Sequence, residues 1–123
     1  MLANSNISAV LAVKDIEVAK AFYEGKLGLE PSGTDPQGIY YKSGNSQVLV
    51  YESQFAGTNK ATAAGWQVDD IEATLSELSA KGVKFEHYDF PGSTRERDVH
   101  VMGSIKAAWF VDPVGNILAI EQM

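Results

Sequence analysis

Short apolar runs separated by polar turns make up most of this chain, and two stretches carry a helical period instead. Residues 7–13 form a short apolar run broken only by Ser8, with β-branched Ile7, Val10 and Val13, which predicts a buried strand. Asp15 stands where a helix N-cap belongs. Residues 16–26 then set Ile16, Ala19, Phe22 and Tyr23 on one face, with Glu17, Lys20, Glu24 and Lys26 on the other. Gly28 suits the left-handed residue that ends such a helix. Residues 31–38 predict a loop, and residues 39–42 and 47–52 predict two strands around Ser43-Gly44-Asn45-Ser46. After a polar connector over 54–62, a strand is expected over 63–68 and a helix over 71–81. Asp69-Asp70 offers that helix an N-cap, Ile71, Leu75 and Leu78 form its apolar face, and Gly82 ends it. Alternation over 83–90 predicts a strand, residues 91–103 a long polar loop, and 106–111 and 116–122 two final strands. Between those last strands Pro113 presets one backbone angle of a tight turn, and Gly115 can take a positive φ within it.

The second half of this pattern repeats the first. Val13-Lys14-Asp15-Ile16-Glu17 answers to Val68-Asp69-Asp70-Ile71-Glu72, and Leu27-Gly28-Leu29 to Lys81-Gly82-Val83. The Gly44-Asn45 turn answers to Gly115-Asn116 at a wider spacing, so the extra length falls mostly in 91–103. The chain therefore reads as one α+β domain over 1–123, built of two βαβββ modules, 6–53 and 63–123. Such a module covers one sheet face with its helix and leaves the other bare. Two of them side by side predict an open, curved, mixed sheet around a cavity, with the helices outside.

Composition narrows the partners. A net charge of -6 repels phosphate backbones and anionic lipid, so neither nucleic acid nor a membrane surface is expected. No apolar run reaches the length of a membrane span, and Met1–Asn6 lacks the basic start of a signal peptide, so the expected location is cytoplasmic. The absence of cysteine excludes disulfides, thiolate nucleophiles and thiolate metal sites.

Asp15-Ile16, Ala21-Phe22-Tyr23, Leu27-Gly28-Leu29 and Phe110-Val111-Asp112-Pro113-Val114-Gly115-Asn116 together resemble the vicinal oxygen chelate superfamily. That group includes glyoxalase I, bleomycin-resistance proteins and extradiol dioxygenases. The resemblance covers essentially the whole chain and implies a homodimer. It also implies a divalent ion held by one His, Gln or Glu from each of four strands, acting on a substrate's vicinal oxygens. Spacing from the motifs carries those four positions onto Ser8, Leu49, Ala63 and Ala119. None is a usual ligand, and a slip of one residue gives Ile7, Val48, Ala64 and Ile120, which are no better. A slip of two brings in Gln47 and Glu121, about 6–7 Å along their strands. The expectation is therefore a protein with no metal cofactor, the alternative being a divalent metal at a displaced site.

A cavity without the metal would bind through apolar walls and a few polar groups. Alternation assigns Ser8, Leu49, Tyr51, Gln67, Ala119 and Glu121 to the cavity face, and Trp109 lies on a strand that borders it. Tyr40, Tyr41, Tyr88 and Phe110 border the same face by strand position, while Trp66 is assigned to the core. For any single aromatic, plain core packing is the bland alternative. The charge-dense stretch 94–100 offers Arg95 or Arg97 to clamp an anion and His100 as a general acid or base. Its alternating signs equally suit a solvated loop whose charges pair among themselves. His87 reads as a structural histidine. The expected function is binding of a small planar or aromatic molecule. An altered glyoxalase-related lyase or isomerase using Gln47, Glu121 or His100 is the other reading.

Overall fold

A computed structural model describes all 123 residues. Its strands fall into two open sheets. The first holds β1 (Ala9–Val13), β2 (Glu30–Asp35), β3 (Gly38–Ser43) and β4 (Ser46–Glu52) in the order β1-β4-β3-β2. The second holds β5 (Thr62–Gln67), β6 (Phe85–Glu86), β7 (Thr94–Glu96), β8 (Val99–Met102), β9 (Ile105–Val111) and β10 (Ile117–Gln122). Its order is β5-β10-β9-β8-β7, with β6 also paired to β9. In each sheet the opening strand runs parallel to the closing one, β1 with β4 and β5 with β10, and the remaining pairs are antiparallel. The fold is α+β with mixed sheets.

Local chemistry starts both helices where the sequence predicts. Asp15 accepts the backbone N–H of Glu17 at 2.9 Å and of Val18 at 3.3 Å, which opens α1 (Ile16–Lys20). The helix continues as a wider π turn over Ala21–Lys26, where the Leu27 N–H reaches back five residues to the Phe22 carbonyl. Phe22 and Tyr23 are both buried on this turn although adjacent in sequence. Asp70 caps α2 (Ile71–Ala80) through the Ala73 N–H, and the Gln122 side chain accepts the Ile71 N–H at 2.9 Å. The last strand thus fastens the start of the second helix.

The helix-facing sides of both sheets share one core. Leu11, Val50 and Tyr41 come from the first sheet and Phe110, Leu118 and Ile120 from the second. Tyr41 and Phe110 are therefore core residues and do not border an open face, because their strand positions have the parity of the helix side. Trp66 lies on the core side as expected, stacked on Phe110 at 6.4 Å with its indole N–H donated to Ser43 at 2.9 Å.

The turn after β9 joins the two halves. Buried Asp112 accepts the Tyr23 hydroxyl at 2.7 Å, the Asn116 side-chain amide at 2.8 Å and the backbone N–H groups of Val114 and Asn116. Asn116 also donates to the Ala12 carbonyl of β1 at 2.7 Å. Gly57, with φ of 74°, passes so near this turn that a Cβ there would run into the Val114 carbonyl oxygen. Burial and then the Asp112 carboxylate raise the Tyr23 hydroxyl far above its ordinary value of 10.0. Above pH 10 the unfolded chain consequently releases a proton that the folded chain retains. Stability should hold up to that pH and then fall by about 1.4 kcal/mol per pH unit for this group. Denaturant titrations between pH 8 and 12 should show a shallower alkaline fall in Tyr23→Phe. An unchanged slope would remove Tyr23 from the explanation.

Three predicted elements differ. Residues 31–38 are not a loop, since Glu30–Asp35 forms the edge strand β2, paired only with β3. All six of its residues are exposed, so no apolar alternation marks it, and an edge tolerates Pro31. The strand expected over 83–90 shrinks to Phe85–Glu86, because the remaining length of β9 on that side pairs with β8. The polar loop expected over 91–103 contains the hairpin β7–β8, which turns at Arg97 with φ of 58°. Residues 87–98 thus form a detour between two short strands that share one side of β9.

Candidate ligand-binding site

Strand register brings four of the sequence-selected residues into one line on the face of the second sheet that points away from the helices. Gln67 lies opposite Glu121, Glu121 opposite Ala107, Ala107 opposite His100, and His100 opposite Arg95. Directly opposed residues share a face, so the line crosses five strands with methyl-bearing Ala107 between Glu121 and His100. One step along, Gly65, Ala119, Trp109 and Glu86 form a second line. Gly65 and Ala119 make a low floor, Trp109 rises beside it, and Ala107 is already buried.

The detour folds back over Trp109. Tyr88 and Phe90 set their rings 5.5 Å and 5.3 Å from the indole, and His100 meets it edge-on at 4.9 Å. The indole N–H reaches Thr62 at 3.2 Å. His100 is fully buried, and its Nε2 accepts the backbone N–H of Tyr88 at 2.9 Å. A neutral imidazole accepting at Nε2 carries its proton on Nδ1, and that buried nitrogen has no partner. At the root of the detour His87 bonds Asp98 at 2.7 Å and Arg95 at 2.9 Å. His87 is structural here, and it links two of the charges of the 94–100 stretch, Arg95 and Asp98. Burial, followed by the nearby Glu86 carboxylate, raises the hydroxyl of Tyr88.

The other selected residues lie on or beside the first sheet. Ser8 lines a cleft of about 700 Å³ between the two sheets, together with Asn45, Gln47, Gly65 and Gln67. Leu49 is buried on β4 between Val10 and Tyr40, and partly buried Tyr51 lies opposite Ala12. Sequence reading missed the covering role of Tyr88 and Phe90. Their placement depends on the chain leaving the sheet at His87, and no local pattern marks that exit.

The four positions that the resemblance assigns to a metal do not fit one. Leu49, Ala63 and Ala119 have no donor atom on their side chains, which leaves only the Ser8 hydroxyl. No group of three or more His, Cys, Asp or Glu side chains is placed to hold an ion. Gln47 and Glu121, the displaced candidates, stand on different sheets. No helix is long and apolar enough to cross a membrane.

The sequence pattern of the Glyoxalase/Bleomycin resistance protein/Dioxygenase superfamily matches residues 7–120. No curated protein sequence matches the chain. Among solved structures, the chain resembles a glyoxalase family protein from Enterococcus faecalis at a TM-score of 0.75 and 19% identity, covering 98% of this chain and 99% of that one. A fosfomycin resistance protein from Listeria monocytogenes superposes at 0.73 with 13% identity, covering 98% and 93%. Lactoylglutathione lyase from Agrobacterium tumefaciens gives 0.70 and 20% identity over 96% and 93%.

Proposed function

The chain belongs to the Glyoxalase/Bleomycin resistance protein/Dioxygenase superfamily, and from that premise we propose that it is a metal-free small-molecule-binding protein. Its role is of the bleomycin-resistance or sequestration kind, and its ligand is a planar or aromatic compound. The supporting observation is Trp109, standing beside a floor of Gly65 and Ala119 and already in contact with other rings. Flat rings gain both area burial and offset or edge-on stacking there. The proposal includes a cytoplasmic homodimer, and a light-scattering mass of only 13.3 kDa would exclude the dimer.

Thermal unfolding with and without naphthalene or acridine tests the reading. A flat ring should raise the unfolding temperature of the parent protein. Trp109→Ala, with its circular dichroism unchanged, should weaken binding by about tenfold or more, in line with the value of a stacked aromatic pair plus its buried area. Equal binding by parent and variant would move the site elsewhere.

A second reading is supported by the line that sets Glu121 and His100 two strands apart, about 10 Å between backbones, across Ala107. A carboxylate and an imidazole flanking a small residue suit proton transfer in a glyoxalase-related lyase or isomerase. Metal analysis of the purified protein separates the two readings. A stoichiometric divalent ion that disappears in Glu121→Ala would displace the binding reading in favour of the enzyme.

A further inference from the structure

We infer that the ligand of this site is a neutral aromatic carbonyl compound, whose ring takes the place of Phe90 against Trp109 and whose oxygen accepts the Nδ1 proton of His100. The inference rests on the proposed function and narrows its ligand class. Its starting point is the one buried side-chain polar atom without a partner, Nδ1 of the fully buried His100. The Tyr88 N–H fixes Nε2 as an acceptor, so Nδ1 is a donor. Four rings surround this imidazole: Trp109 at 4.9 Å, Phe90 at 6.1 Å, Tyr88 at 6.2 Å and His87 at 6.4 Å. A buried donor without an acceptor costs free energy, and a ligand that supplies the acceptor recovers it.

Phe90 is the displaceable wall. It is 39% exposed, and its carbonyl is held only by the backbone and hydroxyl of Ser93 nearby in sequence. The root of the detour is fixed separately, by His87 with Asp98 and Arg95 and by Tyr88 with His100. The Phe90 ring can therefore leave Trp109 while those contacts persist.

Charge selects among acceptors. Arg95 lies opposite His100, but Glu121 shares its line, Glu86 stands beside Trp109, and Asp98 lies at the base of the detour. Three carboxylates against one guanidinium disfavour an anion. A neutral carbonyl takes the single N–H without that penalty.

Tryptophan fluorescence titrations in a Trp66→Phe background, where Trp109 is the one emitter, test this with three matched probes: 2-acetylnaphthalene, 2-ethylnaphthalene and 2-naphthoate. The ketone should bind about tenfold tighter than the ethyl compound, the value of one hydrogen bond to an otherwise unsatisfied donor, and tighter than the carboxylate. His100→Phe should erase the difference between ketone and ethyl compound. Phe90→Ala, which leaves His100 untouched, should tighten both and preserve their ratio. Equal binding of ketone and ethyl compound by the parent protein overturns the hydrogen-bond assignment while leaving the aromatic site standing. Preference for 2-naphthoate overturns the neutral class. If none of the three binds, the proposed function fails and this inference falls with it.

Discussion

Replacing Asp112 with alanine should lower the thermal unfolding midpoint by more than about 10 °C. The carboxylate is buried and accepts from the Tyr23 hydroxyl, the Asn116 amide and two backbone N–H groups. Removing it strands at least two buried donors at roughly 1–3 kcal/mol each, so a loss of about 4 kcal/mol is expected. At about 4 °C per kcal/mol for a chain of this length, the shift exceeds 10 °C. Asp112→Asn keeps an oxygen for Tyr23 and should lose about half as much. The effect spans both modules, because Asn116 also holds the Ala12 carbonyl of β1. Calorimetry of the two variants provides the measurement, and a shift under about 3 °C for the alanine variant would show that water replaces the carboxylate at little cost.

Phe110→Ala should be comparably severe. Phe110 is fully buried and meets Phe85 at 6.0 Å, Phe22 at 6.3 Å and Trp66 at 6.4 Å, so it joins rings from both halves of the chain. Phenylalanine truncation in such a core costs about 3–5 kcal/mol. With a urea slope near 2 kcal/mol per molar, the unfolding midpoint should fall by about 2 M. Phe110→Leu should cost about 1.5 kcal/mol or less. A large drop for leucine as well would indicate that ring stacking, and not volume, holds the centre of the core.

The same residues show how much of the fold is legible in the sequence. Asp15 and Asp70 cap the helices as their side chains predict, and Gly28, Gly82 and Gly115 take φ values of 74°, 89° and 100° where a left-handed residue is needed. The duplicated layout follows from these signals and from apolar spacing. Edge strand β2 was hidden because a strand paired on one side and exposed throughout has no alternation to read. The 87–98 detour was hidden for a different reason. Its route depends on β6 and β8 sharing one side of β9, and a pairing between distant segments has no local signature.

For the candidate site, the sequence alone determined residue type and parity. It predicts that Gln67, Ala119 and Glu121 point away from the helices, and the resemblance assigns the metal to Ser8, Leu49, Ala63 and Ala119, none of them a usual ligand. Parity follows from the two-residue period of a strand, which is a property of the chain itself. Only the tertiary structure decided which residues stand side by side. Gln67, Glu121, Ala107, His100 and Arg95 form a line because the register of five strands aligns them. Leu49 on β4 and Ser8 just before β1, equally eligible by parity, fall outside the line because those strands belong to the other sheet. Burial of the His100 ring beneath Tyr88 and Phe90 is tertiary in the same sense: a donor becomes orphaned only when other segments close over it.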